Sequence, residues 1–198
     1  MRLSIISGSH RKKSYSLKAA TYLQHLGHLE GFQNVDVVDL STLDFPLWNE
    51  GGWNASEEWS GWKALAIDLK LSDAFVLITP EWHGMVTPAL KNFLMLCTSE
   101  ELGHKPVLLA SVSASVNGVY PISEIRMTGS KNNHACLIPD HLIFRHCETL
   151  LLSDKTVSDE QFDKRARYTV KSLAAYAKVL GSVRTTLKEE MKKFPFGM

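Results

Sequence analysis

A short loop near the start of the chain carries residue types that bind an anion without a metal. The run GSHRKKSYS, residues 8–16, follows a short apolar stretch. Glycine permits a sharp turn, and serine hydroxyls and the planar arginine guanidinium donate hydrogen bonds. A helix that begins after the loop would point its free N–H groups at the same place. The residues that we expect to contact a phosphate here are Ser9, Arg11, Ser14 and Ser16.

This loop is neither of the two best-known glycine-rich phosphate loops. It lacks the later glycines of the GxGxxG and Walker motifs, which argues against a Rossmann dinucleotide site and against P-loop chemistry. On composition alone, an N-cap at Ser14 beside a solvated basic loop explains the same residues equally well. The phosphate site therefore needs support from elsewhere in the chain.

A second polar loop follows the most clearly apolar run of the chain, AFVLIT at residues 74–79. It reads PEWHG over residues 80–84, and PALKN follows over residues 88–92. In an open parallel sheet, ligands bind beyond the carboxyl ends of the strands, where the strand order reverses. We therefore expect the two loops to lie on the same edge of one sheet.

Together the two loops resemble those of the NADPH-dependent FMN reductase family, which also includes quinone, chromate and azo-dye reductases. That family reads GSxRxxSxN after its first strand and TPEYN after its third, with a proline shortly before LKN. Here Ser16 replaces an asparagine, Trp82 a tyrosine and His83 an asparagine. The resemblance extends loosely over residues 1–180.

The resemblance implies that the first loop binds the FMN phosphate and that the second lies along the isoalloxazine ring. A third loop of the family has two glycines before a helix and approaches the other side of the ring; residues 113–118 stand in its place. Since asparagine tolerates positive φ, we expect Asn117 to replace one of these glycines. With N–H groups of the second and third loops, His83 and Asn117 are candidates to stabilise negative charge on the reduced ring. The residues expected around the ring are Pro80, Glu81, Trp82, His83, Gly84, Ser113, Asn117 and Gly118.

The function that the resemblance implies is transfer of a hydride from NADPH or NADH through FMN to a small acceptor such as a quinone, an azo compound or free flavin. Because the flavin carries the chemistry, we predict no catalytic acid or base and no metal. A homodimer or homotetramer is implied as well. Two alternatives stay open: an FMN-binding electron carrier or sensor without nicotinamide turnover, and a flavodoxin-like protein that has lost its flavin.

These loops need a parallel sheet to position them, and the apolar runs supply one. Strands are predicted at residues 3–7, 34–40, 74–79, 106–111 and 136–144, the last interrupted by Pro139. Helices are predicted at residues 14–29, 63–71, 87–97, 121–134 and 159–180, the last ending at Gly181. Alternating strands and helices imply right-handed crossovers with helices on both faces. We therefore predict an α/β three-layer sandwich with a five-stranded parallel sheet, and the resemblance implies that it is flavodoxin-like with the strand order 2-1-3-4-5.

Length and charge limit the other possibilities. The 198 residues predict one domain over residues 1–185 and a tail over residues 186–198. A net charge of +1 gives no field that would attract nucleic acid or an anionic membrane. No apolar run reaches the length of a membrane span or of a signal peptide, so we expect a cytoplasmic protein. The three cysteines form no CxxC pair, so neither a disulfide framework nor a zinc site is indicated.

Overall fold

In a computed structural model of the chain, which describes residues 1–53 and 57–194, five parallel strands form one sheet. The strands are β1 (Arg2–Ser7), β2 (Asn34–Asp39), β3 (Ala74–Pro80), β4 (Pro106–Val112) and β5 (Cys136–Phe144). Their order is β2-β1-β3-β4-β5, which confirms the predicted order, and every neighbouring pair is parallel. The direction of winding reverses between β1 and β3, so the predicted crevice lies at the carboxyl ends of these two strands.

Helices cover both faces of the sheet, as predicted. They are α1 (Tyr15–Leu29), α2 (Ser60–Lys70), α3 (Pro88–Leu96), α4 (Ser99–Leu102), α5 (Val119–Thr128), α6 (Cys147–Leu150) and α7 (Glu160–Lys193). Alternate residues of β3 enter two separate apolar clusters: Val76 packs with side chains of α1 and α7, and Leu77 packs with those of α2, α3 and α5. Because both faces are covered, β3 and β4 are buried along their whole length.

The bounds of α5 and the path of β5 through its proline differ from the prediction for local reasons. Helix α5 begins at Val119 and ends at Thr128, whereas the sequence predicted residues 121–134. It ends where the Gly129 N–H donates to the Ile125 carbonyl at 2.7 Å. Strand β5 continues through Pro139, and the register with β4 shifts there. An edge strand accommodates proline at an irregularity, since the missing N–H breaks no central ladder.

The last helix continues beyond Gly181, the residue at which the sequence predicted that it would end. Helix α7 runs to Lys193, so residues 186–193 of the predicted tail are helical, and residues 195–198 lie outside the described part. Beyond Gly181, the Arg184 guanidinium lies 3.4 Å from the Asp73 carboxylate, and Met191 packs against Gly103. These contacts outweigh the helix propensity of one glycine, which is about 1 kcal/mol worse than that of alanine. Neither this helix nor any other in the described part of the chain is long and apolar enough to cross a bilayer.

A buried lysine closes the carboxyl end of α2. Lys105 is 2% exposed, and its Nζ donates to the carbonyl oxygens of Leu69 and Lys70 at 3.0 and 2.9 Å. A cation at this position satisfies carbonyls that the helix leaves free and opposes the negative end of its dipole. Burial, with a smaller contribution from the nearby Arg184 guanidinium, lowers the pKa of Lys105 to about 8.

This lowered pKa makes stability depend on pH. The unfolded chain holds the Lys105 proton up to the ordinary lysine pKa of about 10.4. Between about pH 8 and that value the unfolded state binds more protons than the folded state, so stability rises with pH. We expect the unfolding free energy of the natural chain, relative to Lys105→Met, to rise by about 1–2 kcal/mol between about pH 7.5 and pH 9.5. Urea unfolding of both proteins at both pH values measures this difference in unfolding free energy. A difference that stays constant or falls contradicts the lowered pKa of Lys105.

Candidate functional site

The first two loops are joined by the backbone of Gly8. Its N–H donates to the Ile78 carbonyl of β3 at 2.8 Å, and its carbonyl accepts the Thr87 hydroxyl at 2.5 Å. A Cβ built on Gly8 would lie 2.5 Å from the Ile78 carbonyl oxygen and 3.0 Å from the Leu90 Cβ. Only glycine permits this approach, which holds the first loop against β3 and the start of α3.

The first loop lines a cavity of about 290 Å³ at the amino end of α1. The first N–H groups of a helix have no acceptor within the helix, and those of Tyr15 and Ser16, which both line this cavity, have no partner among the described residues. The Ser14 Oγ accepts the Leu17 N–H at 3.2 Å and caps α1, and the Ser9 Oγ accepts the Arg11 N–H at 3.2 Å. All four residues predicted to contact the phosphate line the cavity, together with Lys13, Tyr15, Pro80, Glu81, Trp82, Val112, Ala114, Cys147 and Glu148.

Two buried oxygen atoms at this site have no hydrogen-bond partner in the part of the chain that the structure describes. The Ser16 hydroxyl oxygen is one, in a residue that is 1% exposed, and Oε1 of Glu81 is the other. A buried polar group without a partner is destabilising, so such groups are rare unless a ligand or water completes them. The hydroxyl, the Arg11 guanidinium and the helix N-terminus form a donor set that suits a phosphate. The residues present therefore fit the phosphorylated end of a flavin nucleotide.

A second cavity, of about 560 Å³, adjoins the first, because Glu81 and Ala114 line both. Its remaining walls come from the second loop, the third loop and the first turn of α5. The residues that line it are Glu81, His83, Gly84, Ser113, Ala114, Ser115, Asn117 and Tyr120. The structure thus brings eleven of the twelve predicted site residues to the two cavities, and Gly118 lines neither.

The second loop contains a tight turn that accounts for the histidine at position 83. His83 and Gly84 have φ of 53° and 72°, and the Met85 N–H donates to the Trp82 carbonyl at 2.9 Å. Two successive residues with positive φ are typical of a type I′ turn, for which Asn-Gly is the favoured sequence. Histidine, like asparagine, is enriched at positive φ. The replacement of the family's asparagine therefore preserves the backbone and changes only the side chain.

The third loop is shaped by Gly118, and the expectation for Asn117 was wrong. The residue with left-handed backbone is Gly118, at φ of 114°, and Asn117 is not among the residues with positive φ. A Cβ on Gly118 would lie 2.4 Å from the Ile143 Cγ2, and the Gly118 carbonyl accepts the Ser111 hydroxyl at 2.5 Å. The crowded contact with β5 thus selects glycine at position 118, and this leaves Asn117 free to line the cavity.

The Glu124 carboxylate of α5 binds the backbone directly after the second loop. Oε2 of Glu124 accepts the Val86 N–H at 2.8 Å, and its Oε1 lies 2.5 Å from the Lys91 Nζ of α3. Burial alone would raise the pKa of Glu124, but the hydrogen bonds from Lys91 and Val86 outweigh it and hold that pKa below its ordinary value. Asn92 makes a similar link, because it accepts the Trp48 N–H and donates to the Pro46 carbonyl. Lys91 and Asn92 therefore each connect α3 to another segment of the chain.

We expect Glu124→Ala to loosen the second loop. The variant leaves the Val86 N–H without its acceptor and Lys91 without its partner, which should lower the unfolding free energy by about 1–2 kcal/mol and weaken flavin binding roughly five- to tenfold. Thermal unfolding and a titration with FMN measure the two effects. Glu160→Ala removes an exposed pair with Lys164 on α7 and serves as the control. If the two variants lose the same unfolding free energy and the same affinity for FMN, Glu124 does not support the loop.

Several residues that line the cavities were missed by the sequence prediction. Tyr120, which is 61% exposed, stands over the second loop, since a Cβ on Gly84 would lie 3.8 Å from its ring. Cys147 and Glu148 arrive from the segment after β5, whose carboxyl end lies on the same edge of the sheet. Burial raises the pKa of the Cys147 thiol, so this thiol is not activated as a nucleophile. The predicted end of β5 was the signal that could have placed the residues after it at the smaller cavity.

Comparison with known proteins agrees with this geometry. The sequence model described as NADPH-dependent FMN reductase matches residues 1–149. The chain is similar to an NADPH azoreductase of a Bacillus species, with 29% identity over 194 residues that cover 96% of this chain and 100% of that protein. It is also similar to a quinone reductase of Pseudomonas putida, with 29% identity over 133 residues, 67% of this chain and 66% of that protein. Its fold is similar to that of FerB, a flavoenzyme NAD(P)H:(acceptor) oxidoreductase of Paracoccus denitrificans, with a TM-score of 0.70, 23% identity, and coverage of 89% of this chain and 97% of that one.

Proposed function

Because the chain belongs to the NADPH-dependent FMN reductase family, we propose that it binds one FMN across the two adjoining cavities and reduces a small acceptor at the expense of NADPH or NADH. Quinones and azo compounds are the acceptor classes that its relatives' names indicate. When bound, the flavin supplies the chemistry, by taking a hydride from the nicotinamide and passing it on. The protein's part is to bind, orient and complete the site.

Each cavity has a separate task in this proposal. Arg11, the Ser16 hydroxyl and the first N–H groups of α1 hold the phosphate in the smaller cavity. Glu81 lies where the two cavities join, so its unpartnered oxygen accepts a hydrogen bond from the sugar-alcohol chain that links phosphate and ring. The second and third loops line the larger cavity, where their polar groups stabilise negative charge that develops on the ring. The observation that carries the proposal is the buried Ser16 hydroxyl in the first turn of α1, which has no partner among the described residues.

Purification followed by an activity assay tests this function. We expect a yellow protein, or one that turns yellow with added FMN, and NADPH oxidation that depends on a quinone or an azo dye. A yellow protein that oxidises neither NADPH nor NADH in the presence of either acceptor contradicts the enzymatic proposal and supports an electron carrier. A protein that stays colourless with excess FMN contradicts both.

The proposal extends to assembly and location. We expect a homodimer or homotetramer, because large apolar side chains are exposed around the mouth of the larger cavity and along α5, among them Met85, Val119 and Met127, the last 81% exposed. Sedimentation equilibrium tests this, and a monomer at micromolar concentration contradicts it.

All three cysteines, which lie within the described residues, are free thiols, and this supports a reducing, cytoplasmic location.

A further inference from the structure

The side chain of His83 has no structural task in the fold of the described residues. The turn that contains it is closed by backbone atoms, through the Met85 N–H and the Trp82 carbonyl at 2.9 Å. The imidazole is exposed, lines the larger cavity and makes no hydrogen bond or ion pair with any described residue. The asparagine of the family would satisfy the same backbone, but an amide does not titrate near neutral pH. The replacement therefore adds a group that exchanges a proton at the place where an acceptor must enter.

Reduction of the proposed acceptors needs such a proton. A quinone becomes a hydroquinone by gaining a hydride and a proton, and an azo compound becomes a hydrazine in the same way. The hydride carries two electrons and one proton, so one further proton must come from the protein or from water. Histidine is the side chain that most readily supplies a proton near neutral pH.

In contrast to the sequence prediction of no catalytic acid, we propose that His83 is the general acid that protonates the acceptor, an inference that rests on the proposed function of the same site. As the hydride reaches one oxygen of a quinone, the imidazolium N–H bond breaks and an O–H bond forms at the other oxygen. With an azo acceptor the new bond is N–H, at the nitrogen that does not receive the hydride. The neutral imidazole that remains is exposed and regains its proton from water.

The surroundings of His83 are compatible with this role. Of the residues that line the larger cavity with it, the titratable ones are Glu81 on the same loop and Tyr120 on α5. Neither of them forms a hydrogen bond or an ion pair with the imidazole, so its ring nitrogens remain available to an acceptor. Behind the loop, Lys91 and Glu124 form an ion pair with each other, so their charges largely cancel.

Two acceptors and a matched pair of variants test the proposal. His83→Asn restores the family's residue and keeps one that tolerates positive φ, while His28→Asn on the exposed end of α1 is the control. We expect His83→Asn to slow oxidation of the reduced protein by duroquinone roughly ten- to a hundredfold near pH 6.5. It should also change the pH dependence of this rate, because the variant lacks the group that supplies the proton. Oxidation by ferricyanide, which takes electrons without a proton, should slow much less than oxidation by duroquinone.

A spectroscopic measurement gives a second readout that does not depend on turnover. In protein with ¹³C-labelled histidine, the His83 ring resonance is identified by its absence from the His83→Asn spectrum. We expect it to shift when acetophenone, an aromatic ketone that the flavin does not reduce, is added to the oxidised protein, because the carbonyl accepts a hydrogen bond from the ring. A resonance that does not respond overturns the proposal.

The outcomes separate this inference from the function on which it rests. If the natural protein reduces both acceptors, and His83→Asn leaves the duroquinone rate and its pH profile unchanged, the role of His83 is overturned and the reductase stands. Equal losses with duroquinone and ferricyanide also overturn it, since they indicate a damaged flavin site. If the natural protein reduces neither acceptor, the proposed function itself fails.

Discussion

Gly8→Ala is expected to weaken flavin binding strongly and to destabilise the fold. The added Cβ would lie 2.5 Å from the carbonyl oxygen of Ile78, and backbone in a central strand cannot yield as a side chain can. To relieve the contact, the first loop must leave β3 and break the hydrogen bonds that Gly8 makes to Ile78 and Thr87. Overpacking of this kind destabilises by about 1–3 kcal/mol. Displacement of the loop should lower FMN affinity by roughly a hundredfold or more, about 2.7 kcal/mol.

A second glycine provides the control for this variant. A Cβ on Gly181 of α7 meets nothing within 4 Å, so Gly181→Ala should stabilise the protein by about 0.5–1 kcal/mol through helix propensity. Its affinity for FMN should be that of the natural chain. Urea unfolding and FMN titration of the two variants measure effects of opposite sign on stability. A Gly8→Ala protein that is as stable as Gly181→Ala and still binds FMN would show that the close approach to β3 is unnecessary.

Arg11→Ala should weaken FMN binding by roughly 1.5–3 kcal/mol, the range for a hydrogen bond to a charged group, which is about ten- to a hundredfold. Arg11 lines the smaller cavity and has no ion-pair partner among the described residues, so its charge is available to a phosphate. Quenching of flavin fluorescence measures the dissociation constant. The loss should diminish at high salt, because the guanidinium is exposed and its interactions are screened.

Riboflavin, which lacks the phosphate, tests whether the loss belongs to that group. Its affinity should be nearly the same for the natural chain and for Arg11→Ala. Lys12→Ala serves as the protein control, because the neighbouring lysine carries the same charge but lines neither cavity. If Arg11→Ala weakens riboflavin and FMN equally, Arg11 supports the loop and does not contact the phosphate.

Much of the architecture could be predicted because buried parallel strands have a simple signature. Each inner strand is a continuous apolar run that ends at a polar or turn-forming residue, as in the run before Pro80. The strand order came from the resemblance and not from the runs themselves. The boundaries that were wrong depend on distant contacts. A glycine ends a helix only if nothing beyond it is held in place, and Arg184 with Asp73 holds the turns after Gly181.

The site could be predicted in outline because each motif lies within one loop. What the sequence could not give is which other segments meet those loops in space. Cys147 and Glu148 follow β5, and Tyr120 projects from α5 over Gly84, so their place at the cavities depends on the packing of the whole edge. The hydrogen bond between Glu124 and Val86 joins residues 38 apart in the sequence, so no local sequence pattern predicts it. Asn117 was misassigned because contact with Ile143 decides which residue of the third loop must be glycine.

A crystal structure of the protein grown with excess FMN tests the central claim most directly. We expect the flavin phosphate in the smaller cavity, within hydrogen-bond distance of the Ser16 Oγ and the first N–H groups of α1. The ring should lie between the second and third loops. A phosphate bound elsewhere, or a smaller cavity filled by the chain's own side chains at saturating FMN, contradicts the claim.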